Sequence, residues 1–130
     1  MTLFYIDSSV GLQALLNTPQ RSQLITWMNQ EENQFVSSRL LRTEITRVLK
    51  REGEPITAGE ALLARVGLLP ITEKIHQQAE AISIHVKTLD ALHLATALIF
   101  PDVITLATHD SHMAAVATEL GLPVLDPVNT

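Results

Sequence analysis

The chain has 130 residues, 46% of them hydrophobic and none of them cysteine, with a formal net charge of −5. That length and composition fit one compact domain with an aliphatic core. The missing cysteines exclude a disulfide framework, a thiolate zinc site and a cysteine nucleophile. No apolar run approaches the ~18 residues of a membrane span. The stretch from Met1 to Asp7 lacks the basic region and cleavage pattern of a signal peptide, so a cytoplasmic protein with no membrane association is expected.

Leu3-Phe4-Tyr5-Ile6 is an apolar run closed by Asp7 and two serines, and it predicts a buried strand over 3–7. Ser8 or Ser9 then caps a helix through Leu16. A second helix starts near Pro19 and runs to about Gln30, carrying Leu24, Trp27 and Met28 on its apolar side. Gln34 to Ser37 is the second strand. Ser37 or Ser38 caps a third helix, which stops near Gly53. Thr57-Ala58-Gly59-Glu60 has the form of a capping box for a helix through Val66. Leu68-Leu69-Pro70-Ile71 is a strand whose proline suits a sheet edge. Helices follow from Thr72 and from Thr88, the latter through Phe100. Val103 to Ala107 is a buried strand, Asp110 caps a helix that ends at Gly121, and Pro123 to Leu125 is the last strand.

Strands alternating with helices predict a parallel sheet covered on both faces. Sites in such sheets form beyond the carboxyl ends of strands, where Asp7 and Asp110 both fall. Glu44 and Asp90 lie inside helical patterns. Each acid also has a plain structural explanation: Asp7 as a helix cap, Asp90 and Asp110 as charges at helix N-termini, Glu44 as a surface partner for Arg39 or Arg47. If all four converge they repel; two unit charges ~4 Å apart cost about 4 kcal/mol at an effective dielectric of 20. A hard divalent cation with oxygen ligands relieves that repulsion.

Five of the nine lysines and arginines fall between 39 and 51: Arg39, Arg42, Arg47, Lys50 and Arg51. Such a stripe on an acidic protein either holds phosphates or forms a solvated helix face. Not all five can point one way from a helix.

The order of four blocks resembles the PIN-domain ribonucleases, and within them the VapC-type toxins of bacterial toxin–antitoxin pairs. The blocks are Tyr5-Ile6-Asp7-Ser8-Ser9; Ser38 through Ile45, containing Glu44; Leu89-Asp90-Ala91-Leu92-His93-Leu94-Ala95; and Ala107-Thr108-His109-Asp110 with the later Gly121-Leu122-Pro123. The resemblance covers nearly the whole chain and implies a single PIN-like α/β domain over 1–130. Its five-stranded parallel sheet would have the first and fourth strands adjacent at the centre and helices on both faces.

By that resemblance Asp7, Glu44, Asp90 and Asp110 are the catalytic, metal-binding acids, with Ser8 and Thr108 supporting them through their hydroxyls. Arg39 and Arg42 are the candidates for substrate phosphates. The implied cofactor is Mg²⁺ or Mn²⁺, and the implied reaction is hydrolysis of RNA to a 5′-phosphate product. The implied partners are a cognate antitoxin, an RNA substrate and a second copy of the chain. The helices around Leu12 to Leu16 and Leu24 to Met28 are either interfaces for such partners or core faces. A PIN-like module that only binds a partner is one alternative. A phosphoacceptor receiver is another, although the third strand lacks a terminal acid and no lysine follows Lys87. His93, among leucines and alanines, reads as a packing residue. His109 and His112 do not make a zinc spacing. Trp27 reads as core or interface.

Overall fold

A computed structural model describes residues 2–128. Met1, Asn129 and Thr130, the ends of the expected 1–130 domain, lie outside the described residues. The strands are β1 (Thr2–Ile6), β2 (Asn33–Ser38), β3 (Val66–Leu69), β4 (Thr105–Ala107) and β5 (Val124–Leu125). The helices are α1 (Ser8–Leu15), α2 (Arg21–Met28), α3 (Arg39–Arg51), α4 (Glu60–Leu63), α5 (Glu73–Glu80), α6 (Thr88–Leu98) and α7 (Ser111–Glu119). Among the described residues no helix is long and apolar enough to cross a membrane.

All four strand pairings are parallel, in the order β3-β2-β1-β4-β5. The chain thus lays strands outward from β1 in one direction, then crosses over to add β4 and β5 on the other side. Such a reversal opens a crevice at the carboxyl ends of the two strands that flank it, here β1 and β4. This order also differs from the 2-1-3-4-5 order of receiver domains. The expected placement of β1 beside β4 and of β3 at an edge is what the sheet contains.

Alternation along β1 divides the core. Phe4 and Ile6 face a cluster with Val10, Leu24, Leu41 and Ile45, under α1, α2 and α3. Tyr5 points to the opposite face, with Leu94, Leu106 and Met113. Successive residues of a strand face opposite sides, so one apolar run feeds both layers. Trp27 belongs to the first layer, its ring edge-on to Phe4 at 4.9 Å and to Phe35 at 5.1 Å. Leu24 and Met28 are buried there too, so α2 is a core helix.

Two local expectations are corrected. The capping box at Thr57 does not form: Ile56–Gly59 is a 3-10 turn, α4 has only four residues, and Val66 already belongs to β3. Gly59 lies against α3 so closely that a Cβ would meet Ile45 Cγ2 at 3.1 Å, and this docking overrides the local cap. The fourth strand is shorter than its apolar run. Val103 is 90% exposed, the chain still bends at Pro101 and Asp102, and the ladder begins at Thr105, opposite Phe4.

Candidate active site

Ile6 and Ala107 are paired in register, so the next residues, Asp7 and Thr108, leave the sheet side by side. Asp7 is only 4% exposed. Its Oδ1 accepts the Ser9 hydroxyl at 2.6 Å and the Val10 N–H at 3.2 Å, while Thr108 donates its hydroxyl to Oδ2. Asp7 is therefore the N-cap of α1, the place expected for Ser8 or Ser9. The supporting hydroxyl comes from Ser9 and not from Ser8, because the capping turn brings the residue two positions on back to the carboxylate. Burial pushes the Asp7 carboxyl above its ordinary value of 3.8, against the opposing pull of the hydrogen bonds from Ser9, Thr108 and Val10.

Asp110 is exposed and caps α7, accepting the N–H groups of His112 and Met113 at 2.9 and 3.1 Å. Its own N–H donates to Thr108 Oγ1 at 3.1 Å. Thr108 thus gives its proton to one acid and takes one from the backbone of another, which holds the exits of β1 and β4 together.

Asp90 lies in the first turn of α6. Its carboxyl is also raised above 3.8, first by partial burial and then by the charges of Asp110, Asp7 and Glu44. Each of the other three acids therefore acts on Asp90, although they come from three other places in the chain. Glu44, the sixth residue of α3, accepts a hydrogen bond from His93 Nε2 at 2.7 Å. His93 is fully buried, and its Nδ1 meets the Tyr5 hydroxyl at 2.7 Å.

His93 is buried, as its apolar neighbours predict, but its bond to Glu44, the Tyr5 link behind it and the choice of Ser9 over Ser8 escape sequence reading. Spacing carried a signal for the first of these: His93 is three residues after Asp90, so both lie on one face of α6. Tyr5 carried none, since it sits in an apolar strand.

Four carboxylates with hydroxyl support form an all-oxygen donor set, which suits Mg²⁺ or Mn²⁺ rather than a softer metal. Among the described residues, no three His, Asp or Glu side chains surround a single point at ligating distance. Asp7 and Asp110 are turned to their caps and Glu44 to His93, so the acids share an electrostatic field without enclosing one centre. The other histidines at this end are directed elsewhere. His109 Nδ1 meets Asp126 at 3.0 Å, and His112 Nε2 meets the His85 carbonyl at 3.2 Å.

The basic stripe divides between faces of α3. Arg39 donates to the Thr43 hydroxyl at 3.1 Å. Arg42 lines a depression with Thr46, Ile56 and Glu60, away from the acids. Arg47 shares with Glu44 a groove floored by Leu12, Leu40 and Leu89. Of the two phosphate candidates, neither Arg39 nor Arg42 lines that groove; Arg47, Lys50 and Arg51 do.

The sequence profile of the PIN domain matches residues 4–119. Two curated proteins of Mycobacterium tuberculosis are similar over nearly their full length. Ribonuclease VapC47 is 31% identical over 132 residues, covering 96% of this chain and 97% of the relative. Ribonuclease VapC46 is 33% identical over 130 residues, covering 98% and 99%. Among solved structures, a chain of a toxin–antitoxin complex from Klebsiella pneumoniae superposes with a TM-score of 0.71 at 18% identity, over 95% of this chain and 97% of that one. A chain of FitAB bound to a DNA fragment gives 0.66 at 17% identity, over 98% and 96%. At those identities the two structures speak to the fold alone.

Proposed function

The chain belongs to the PIN-domain family, and from that premise we propose that it is a metal-dependent endoribonuclease acting as the toxin of a toxin–antitoxin pair. What supports this proposal is that Thr108 bonds both Asp7 and Asp110 at the exits of β1 and β4, while Asp90 feels the charges of Asp7, Asp110 and Glu44. Full-length similarity to two proteins named ribonucleases supports it.

Asp7 and Asp90 are the main candidates to hold a divalent ion, with Asp110 and Glu44 placing a second ion or the attacking water. The ion, when bound, supplies an activated water and neutralises charge on the scissile phosphate. The protein's own part is to fix these oxygens. Ser9 and Thr108 hold the Asp7 carboxylate, and the N-terminus of α7 holds Asp110. Arg47 is placed to engage a substrate phosphate beside Glu44. Hydrolysis forms a bond from the water oxygen to phosphorus and breaks the bond from phosphorus to the 3′ oxygen, leaving a 5′-phosphate and a 3′-hydroxyl. The partners proposed with this reaction are RNA, a cognate antitoxin and a second copy of the chain. The Leu12, Leu40 and Leu89 groove is the surface for the antitoxin, since Leu24 and Met28 are already buried.

The test is Asp7→Asn, which keeps the size of the side chain and the oxygen that caps α1. RNA cleavage in Mg²⁺ or Mn²⁺ is expected to fall at least 100-fold, with folding retained by circular dichroism. Cleavage at the native rate by the folded variant would refute the proposal.

A further inference from the structure

Asp7 has three hydrogen-bond donors and Asp110 has two backbone N–H groups, but among the described residues Glu44 has one partner, His93. The ring of His93 is fully buried and both its nitrogens are engaged. Which nitrogen carries the proton follows from its neighbours. The Ser38 N–H donates to the Tyr5 hydroxyl at 3.1 Å, occupying the phenol as an acceptor. Ser37 and Thr96, the other hydroxyls beside Tyr5, give their protons to the Ile6 and Leu92 carbonyls at 2.6 and 2.7 Å. Among these bonds the Tyr5 proton has His93 Nδ1 as its acceptor. Burial also raises the Tyr5 pKa, keeping that proton on the phenol. With Nδ1 accepting, Nε2 carries the hydrogen and donates it to Glu44.

We infer that His93 is a positioning residue for Glu44, and that Tyr5 fixes the Nε2–H tautomer that lets it act. The chain of donors runs from the Ser38 N–H through Tyr5 and His93 to Glu44. It joins the end of β2, the middle of β1, α6 and α3, and sets the carboxylate from the core outward. Ligand-orienting partners of this kind change metal affinity or activity by about 10–100-fold when removed. This inference rests on the proposed role of Glu44 at the metal site.

Three variants test it: His93→Ala, His93→Gln and Tyr5→Phe. Mn²⁺ affinity is read by calorimetry, RNA cleavage by kcat and KM, and folding by thermal unfolding. The histidine tautomer is read from long-range ¹H–¹⁵N spectra, with the His93 signals assigned by their loss in His93→Gln. In the native protein His93 is expected as the Nε2–H form. His93→Ala is expected to weaken Mn²⁺ binding and lower kcat by about 10–100-fold with little change in KM for RNA. His93→Gln, whose amide nitrogen can donate to Glu44, is expected to recover most of that loss. Tyr5→Phe keeps the imidazole and is expected to give mixed tautomers with an intermediate loss; it carries the test if His93→Ala does not fold. An Nδ1–H native tautomer, native Mn²⁺ affinity in folded His93→Ala or Tyr5→Phe, or a glutamine variant no better than alanine each overturns the inference. If the native protein binds no Mn²⁺, the metal-site proposal falls and takes this inference with it, an outcome distinct from equal binding by native and variant.

Discussion

Thr108→Val removes one hydroxyl and keeps the shape of a side chain that is 1% exposed, so it opens no cavity. The hydroxyl donates to Asp7 Oδ2 and accepts the Asp110 N–H. A hydrogen bond to a charged group contributes about 1.5–3 kcal/mol and a neutral one about 0.5–1.5. The Asp110 residue is exposed, so water replaces part of the second bond. A loss of about 3 kcal/mol at pH 7 follows, or a fall in Tm of roughly 10 °C for a domain of this size.

The loss depends on pH. The folded-state pKa of Asp7 is raised above 3.8, so its contribution to stability is fully present below 3.8 and declines as pH rises through the raised value. Removing a donor that favours the carboxylate raises that pKa further and steepens the decline. The native–variant difference should therefore be smallest in acid, where the carboxyl is protonated and the lost bond is neutral, and largest at pH 7 and above. Urea unfolding in EDTA at pH 4.5, 6 and 7.5 measures it. A difference that stays constant across the series, or that shrinks toward neutral pH, refutes this account of how Asp7 is held.

In the proposed site Asp7 and Asp90, both with raised pKa, would give up protons on holding a cation, so Mn²⁺ should stabilise the protein more at pH 7.5 than at pH 5. At free Mn²⁺ 100-fold above Kd the gain is about 2.7 kcal/mol, read as a Tm increase that disappears in Asp7→Asn. Arg47→Ala should reduce the slope of log RNA affinity against log salt by about 0.7, the value for one single-strand phosphate contact. Arg42→Ala should leave that slope unchanged; equal effects of the two would remove Arg47 from the substrate path. Leu94→Ala, at a fully buried position of the second core layer, should cost about 3 kcal/mol in urea unfolding. A cost below about 1 kcal/mol would show that this face packs loosely.

Much of this architecture is legible in the sequence because strand ends coincide with chemistry. Apolar runs closed by Asp7 and by Thr108-His109-Asp110 mark both the sheet and the place where its crevice opens. Ser38, Thr72 and Asp110 announce their helices through side chains that accept backbone N–H groups. The region from Thr57 to Val66 is less legible, since close packing of Gly59 on α3 decides it from 14 residues away at Ile45. Ser8 and Ser9 are adjacent and chemically identical, so only the turn geometry selects Ser9. His93 hides for a different reason: its partners, Tyr5 and Glu44, are 88 and 49 residues distant and lie on other elements.

Asp7 and Asp110 each hold two duties. They close the N-termini of α1 and α7 with their carboxylate oxygens, and they stand at the mouth of the crevice. Selection on folding alone would preserve them in a descendant that had lost all catalysis. Glu44 and Asp90 cap nothing, but Glu44 still accepts the bond of the buried His93, whereas Asp90 is partly buried and faces three like charges, so folding has the least reason to keep Asp90. Under the proposed assignment of the site, Asp90 is therefore the informative position for separating working nucleases from silent descendants among relatives of this protein.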